Sequence, residues 1–341
     1  MGVLDDNIKI LLTKMELTQW KGPKINPTLL DREIITRDDL RKIDMPKGHH
    51  TTRTSGSTGE PVSVVKSVDD YIWFVASNIR DFRWRRWDVK KNVAIIKTTA
   101  TETVYKGWGI PPNIEPVQGL MYTNNYKPIS ELQEWLEKVN PHYISCFPSI
   151  FKLLDTSKLS NFIDWKGTGE VGGTLYSSEE CGVIALQCPD NPKFMHVMEN
   201  HHIERDDDGG MIITTFTNDY IRRYKHGDHI EFGTCTCGRG LQTLSEIKGR
   251  VRNMFTLPNG DKKWPLIGSL SFYEKFGIKR YKAIQKSIEE LELQIISEPL
   301  NDREEDLKKL VKEWINSPIN VTITYTNDFP NYKFEEFVSL I

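Results

Sequence analysis

Between positions 54 and 61 the chain reads Thr54-Ser55-Gly56-Ser57-Thr58-Gly59-Glu60-Pro61, two glycines and four hydroxyl side chains closed by a proline. Glycines let backbone N–H groups approach an anion closely and hydroxyls add donors aimed at the same place, the chemistry a polyphosphate requires. Glu60 and Pro61 follow Gly59 where a Walker loop has Lys and then Ser or Thr, so this is a different kind of loop. A plain solvent turn is the competing reading, because Gly/Ser/Thr clusters are ordinary loop chemistry. A second constellation is Cys235-Thr236-Cys237-Gly238-Arg239, two thiols one residue apart, with Cys188 preceding His196 by eight positions. Three sulfurs and one imidazole suit tetrahedral Zn²⁺, and four protein ligands make such a site closed and structural. Isolated buried cysteines are the simpler alternative.

The hydroxyl-glycine loop is very close to the phosphate-binding signature of the adenylate-forming enzymes, the superfamily of acyl-CoA ligases and adenylation domains, and later motifs match in order. Tyr176-Ser177-Ser178-Glu179-Glu180 resembles the superfamily's Tyr-Gly-x-Thr-Glu element. Arg223-Tyr224-Lys225-His226-Gly227-Asp228 resembles its Arg-Tyr-x-x-Gly-Asp element, and Gly249-Arg250 its hinge dipeptide. FPSIFKLL at 147–154 and YSSEECGVIALQCP at 176–189 are similar to the phenylacetate-CoA ligase-like branch, several members of which carry the same Cys, His, Cys-x-Cys order.

The resemblance implies an ATP- and Mg²⁺-dependent activation of a carboxylic acid as acyl-adenylate, followed by transfer to an acceptor, with the thiol of coenzyme A as the default. Thr54, Ser55, Gly56, Ser57, Thr58 and Gly59 would hold the β- and γ-phosphates, Tyr176 would stack near adenine, and Glu180 would bind Mg²⁺. Asp228 would accept hydrogen bonds from the ribose, and Arg250 would meet ribose or phosphate. Lys333 would stabilise charge as the carboxylate attacks the α-phosphorus, although Tyr332 replaces the usual glycine and Glu335 stands where a basic residue is common. Zn²⁺ would sit on Cys188, His196, Cys235 and Cys237. Taken singly, Tyr176 as a core aromatic, Asp228 as a turn residue and Arg250 or Lys333 as solvated charges all remain open. An amine or hydroxyl acceptor is the alternative within the enzyme reading. A zinc-stabilised nucleotide-binding scaffold without catalysis is the alternative outside it.

The elements that must position these residues read as an α/β core. Strand-like NVAIIKT (92–98), HYISCF (142–147) and GMIITTF (210–216) alternate with helix-like segments such as ELQEWLEKV, for which Ser130 and Gln133 form a capping box. Beyond PNGD at 258–261 the texture changes to alternating ELELQII, an amphipathic helix with Leu307, Leu310, Val311 and Trp314 on one face, and alternating NVTITYT. The pattern gives a large α/β domain over 1–250 and a small α+β domain over 251–341, which the resemblance implies is an adenylate-forming enzyme fold with a mobile C-terminal domain. Against the family it resembles, the phosphate loop comes early and the passage before Tyr176 is short, so the resemblance implies an acid pocket that is open or completed by another chain, with a homodimer among the expected partners.

The 45 Lys and Arg against 47 Asp and Glu leave a formal net charge of −2, which demands neither nucleic acid nor a membrane surface. FRWRRWDVKK (82–91) interleaves basic and aromatic residues and is read as a structural helix end. His201-His202, near Glu204 and DDDGG (206–210), are assigned to an exposed hairpin tip. No run reaches the roughly 18–20 apolar residues of a membrane span, and five cysteines, an odd number, favour a reducing, cytoplasmic compartment.

Overall fold

The computed structural model describes residues 2–43, 50–53, 63–97, 100–125, 129–170, 172–250, 255–258, 262–263, 272, 275–278, 280–315, 318–327 and 337–341. The chain divides into two compact units, with the main break between Ile247 and Lys248 and the strand segment Gly227–His229 grouped with the second.

In the first unit, helix α1 (Gly2–Thr18) buries Ile8, Leu11, Leu12 and Met15, the i, i+3, i+4, i+7 stripe of an amphipathic helix. That stripe shares an apolar cluster with Ile72, Ala76 and Ile79 of a second long helix, Val68–Trp84. The long helix starts with a full capping box, Ser67 accepting from the Asp70 N–H and Asp70 from the Ser67 N–H.

A five-stranded sheet runs in the order Thr103–Lys106, Leu120–Asn124, Val93–Ile96, Tyr143–Cys146, Asp164–Gly167. Its last four strands pair in parallel, and Tyr143–Cys146 is buried at every position, as a strand covered on both faces must be. The helix Ile129–Val139 makes one crossover, burying Leu132, Trp135 and Leu136. It begins at Ile129, so Ser130 lies inside its first turn rather than at the cap; Gln133 instead exchanges hydrogen bonds with the Asp155 backbone, accepting at 2.9 Å and donating at 3.1 Å. Tertiary bonding has taken the side chain that a local capping box would use.

A seven-stranded sheet carries most of the chemistry-bearing residues, in the order His201–Arg205, Gly210–Thr215, Tyr224–Phe232, Thr243–Arg250, Met195–Val197, Gly182–Gln187, Leu175–Ser178. The expected strands over 92–98, 142–147 and 210–216 are all present, trimmed at their ends to Val93–Ile96, Tyr143–Cys146 and Gly210–Thr215.

The second unit is a small α+β structure. Its four strands run Asn320–Tyr325, Glu290–Ile296, Arg280–Gln285, Phe337–Ser339, and the helix Glu304–Ile315 connects the parallel pair Glu290–Ile296 and Asn320–Tyr325. Leu291, Leu293 and Ile295 alternate into a core that also holds Leu307, Val311 and Phe337. Among the described residues no helix is long and apolar enough to cross a membrane.

Candidate active site and metal centre

Thr54, Ser55, Gly56, Ser57, Thr58, Gly59 and Lys333 lie outside the described residues, as do Tyr332 and Glu335. Arg250 closes the strand Thr243–Arg250, described there by its backbone alone. The strands His50–Arg53 and Ser63–Lys66 that flank the hydroxyl-glycine segment pair antiparallel, Arg53 opposite Ser63.

Tyr176 and Glu180 sit on and just after the edge strand Leu175–Ser178. Tyr176 is half-buried, its hydroxyl 3.5 Å from His226 Nδ1 and its ring edge-on to the same imidazole. Glu180 falls in the tight turn into Gly182–Gln187, a turn that Gly182 completes at φ +75°, where a side chain is strained. Its side chain is almost wholly buried, 5% of the residue exposed. Two cations absent from the sequence motifs meet this residue: Arg37 Nη1 lies 3.8 Å from Glu180 Oε1, and Lys66 Nζ donates to the Glu180 carbonyl at 2.8 Å. Asp228 is buried on the strand Tyr224–Phe232, directly after Gly227 at φ +93°. Cys181 beside Glu180, and Cys146 on the parallel sheet, are buried thiols that desolvation pushes up to about 12, with Glu180 adding to the first. Neither is a nucleophile at neutral pH.

Cys188, His196, Cys235 and Cys237 converge, their ligating atoms all within 4.8 Å of one another. Cys188 follows the strand Gly182–Gln187, His196 lies on Met195–Val197, and the two remaining thiols come from the turn between Tyr224–Phe232 and Thr243–Arg250. Cys235 Sγ and Cys188 Sγ are 3.7 Å apart, far from the roughly 2.05 Å of a disulfide and close to the ~3.8 Å edge of a tetrahedron with Zn–S bonds of about 2.3 Å. His196 Nε2 faces Cys237 Sγ at 3.2 Å, while Nδ1 meets Thr243 Oγ1 at 3.3 Å, the outer contact that orients an imidazole ligand. Burial, with Arg239 nearby, pushes the His196 pKa down to about 4, so the ring is neutral and able to ligate. Burial works to raise the Cys237 thiol, and hydrogen bonds from the Arg239 backbone and side chain help to bring it below the ordinary value. The donor set fits a structural Zn²⁺.

Arg239 locks this turn to α1. Its guanidinium stands 5.0 Å from the Trp20 ring and 4.9 Å from the Trp84 ring, donates to Asp190 at 2.5 Å and to Gln19 at 3.2 Å. Gly240 donates to the Gln19 carbonyl at 2.9 Å, and a Cβ on Gly22 would fall 2.2 Å from the Gly240 oxygen, so the two backbones touch. Trp84 and Arg85 thus serve packing and ion pairing, Arg85 bonding Asp81 at 3.2 Å.

His201 departs from the expected hairpin tip. The tip is formed by Asp206–Gly209, while His201 is buried, its Nε2–H donating to the Val183 carbonyl at 3.0 Å and its Nδ1 accepting from the Thr215 hydroxyl at 3.2 Å. The neutral tautomer protonated at Nε2 satisfies both ring nitrogens, and burial pushes the pKa down to about 3 from the ordinary 6.5. The unfolded chain binds the extra proton between these values, so this group's stabilisation is complete above pH 6.5 and is lost as the pH falls toward 3. Melting temperatures measured between about pH 7 and about pH 4 are expected to fall, and to fall less steeply in His201→Gln.

No protein-family model matches the chain, and no curated protein matches it in sequence. Solved structures do match its fold. A 2-hydroxyisobutyryl-CoA ligase in the postadenylation state, in complex with 2-HIB-AMP, aligns with a TM-score of 0.66 at 14% identity over 99% of this chain and 89% of that one. The same ligase with 2-HIB-AMP and CoA in its thioesterification state gives 0.55 at 15% identity, over 99% and 89%. An anthranilate CoA ligase in complex with anthranoyl-AMP gives 0.56 at 13% identity over 83% of this chain and 63% of that one. ATP-bound MatB from Rhodopseudomonas palustris gives 0.53 at 11% identity, over 85% and 65%. Across nearly its whole length, the chain therefore has the fold of the adenylate-forming acyl-CoA ligases.

Proposed function

We infer that this protein activates a carboxylic acid with ATP to form acyl-AMP and pyrophosphate, then passes the acyl group to the thiol of coenzyme A. The observation that carries this reading is Glu180, a buried carboxylate on the turn after Tyr176, in a fold shared over 99% of the chain with a ligase that holds an acyl-AMP. The finer assignment, to the phenylacetate-CoA ligase-like branch, rests on FPSIFKLL and YSSEECGVIALQCP. In this reading residues 1–250 form the adenylation domain with its zinc site, and 251–341 the mobile domain that delivers Lys333. The odd number of cysteines, which favours a reducing compartment, supports a cytoplasmic location.

In the first half-reaction a substrate carboxylate oxygen attacks the α-phosphorus in line; the new O–P bond forms as the bridging α–β bond breaks and pyrophosphate leaves. The N–H and hydroxyl donors of residues 54–59 hold the β- and γ-phosphates, Tyr176 covers the adenine, and Asp228 and Arg250 hold the ribose side. Glu180 would offer Mg²⁺ a hard oxygen ligand, and the bound metal would supply charge neutralisation. Lys333 meets the charge that builds where the carboxylate enters. In the second half-reaction the thiol sulfur attacks the acyl carbon and AMP leaves.

Acid-dependent exchange of labelled pyrophosphate into ATP, over a panel of aryl, fatty and amino acids, tests the reading. Exchange with none of them would leave the nucleotide-binding scaffold as the better account. Lys333→Ala is expected to slow exchange by roughly 10²-fold or more while changing ATP affinity less than about tenfold, since its charge is used mainly in the transition state. Preformed acyl-AMP should still reach product at the normal rate. An equal loss in both halves would count against Lys333.

A further inference from the structure

Arg37 belongs to no sequence motif, yet the fold fixes it at the carboxylate on which the adenylation reading turns. It is the first residue of the short helix Arg37–Arg41, whose start is set by a capping box between Thr36 and Asp39. Just before it, Ile35 forms a parallel bridge to Tyr224, accepting from the Lys225 N–H at 2.9 Å and donating to the Arg223 carbonyl at 3.1 Å. Just after it, Leu40, 3% exposed, packs in one apolar cluster with Val64, Cys181 and Tyr224. Three anchors therefore hold the backbone on either side of Arg37, and they tie it to the Arg-Tyr-x-x-Gly-Asp strand.

We propose that Arg37 is a further nucleotide-binding residue, one that faces Glu180 before the metal arrives and meets a phosphate oxygen of ATP once the metal occupies that carboxylate. This rests on the assignment of Glu180 to the Mg·ATP site. A carboxylate as buried as Glu180 is costly without a nearby cation. Arg37 supplies one at 3.8 Å, an ion contact longer than a hydrogen bond, with its side chain 19% exposed. Mg²⁺ brings the same compensation to the same oxygens, so the cation already there is the one displaced. ATP then presents anionic oxygens within reach of a guanidinium whose planar donors suit phosphate. A purely structural ion pair would act on folding and leave nucleotide affinity unchanged.

Calorimetric titration with ATP, with and without Mg²⁺, of the full chain and of Arg37→Gln, Arg37→Lys, Glu180→Gln and the double variant Arg37→Gln/Glu180→Gln separates the two. Arg37→Gln is expected to weaken Mg·ATP binding about 10- to 100-fold, the range of one charge-assisted hydrogen bond, with Arg37→Lys recovering part of it. Without metal, Glu180→Gln is expected to bind ATP severalfold more tightly than the wild type, because the guanidinium is released to the phosphates. That gain should vanish in the double variant, which removes both charges and so leaves neither buried alone. Wild-type affinity for Mg·ATP in Arg37→Gln, or a double variant that keeps the gain, overturns the proposal. A wild-type protein that binds no ATP under either condition overturns the adenylation reading itself and this inference with it.

Discussion

Glu180→Gln is expected to lower acid-dependent pyrophosphate exchange roughly a thousandfold, the scale on which loss of a preorganised charge-stabilising group acts. The amide keeps the shape of the side chain and so preserves the turn that Ser178 closes by accepting from the Cys181 N–H at 3.1 Å. What it removes is the negative charge that makes a hard oxygen ligand of a side chain already almost wholly buried. Exchange rate and thermal melting read separate consequences: the first should collapse, while the second should fall only by the loss of the Arg37 ion pair. Full activity in the variant would move the metal ligand elsewhere, with neighbouring Glu179 the next residue to test.

The second large effect is expected at the thiolate and imidazole cluster. Protein purified without added metal is expected to carry one Zn²⁺, and Cys235→Ser to lose it. Three thiolates and an imidazole leave no open coordination position, so activity should fall only as the fold loosens. A stability loss of roughly 4 kcal/mol is modest beside the roughly 10–16 kcal/mol by which zinc-finger peptides bind their ion, and lowers Tm by about 10 °C in a domain of this size. Elemental analysis and melting of the two proteins check it. Absence of zinc from the wild type, or unchanged zinc and Tm in Cys235→Ser, would sink the idea.

Features encoded locally were readable from the sequence. The strand Glu290–Ile296 and the helix Glu304–Ile315 announce themselves by period, because one face of each must be buried. The four metal-ligand candidates could be picked out because few side chains offer soft donors, and because the branch the sequence resembles carries the same Cys, His, Cys-x-Cys order as Cys188, His196, Cys235 and Cys237. Arg37 and Lys66 were illegible for the opposite reason. An arginine opening a short helix and a lysine ending a strand look like solvated charges until folding sets them against Glu180, 143 and 114 positions away. His201 failed in the same way: flanked by acidic residues it reads as surface, whereas its strand places it between the Val183 carbonyl and Thr215. The cap expected at Ser130 failed because a distant backbone, that of Asp155, competes for Gln133.

The seat of Arg239 between Trp20 and Trp84 has a kinetic side. Gln19 and Arg239 are 220 positions apart in sequence, yet their hydrogen bond, the Gln19–Gly240 backbone bond and the contact of Gly22 with Gly240 form one junction. The end of α1 therefore has no finished seat until the chain has been made through residue 240 and the turn bearing Cys235 and Cys237 has closed. Closing so long a loop costs entropy before its contacts repay any, which places this junction among the late, slow steps of folding. Until then the apolar stripe of Ile8, Leu11, Leu12 and Met15, which shares its cluster with the Val68–Trp84 helix, lacks this anchor at its end. An unfinished chain thus holds α1 less firmly and is open to aggregation along it, and a metal bound at the turn would shorten that exposure.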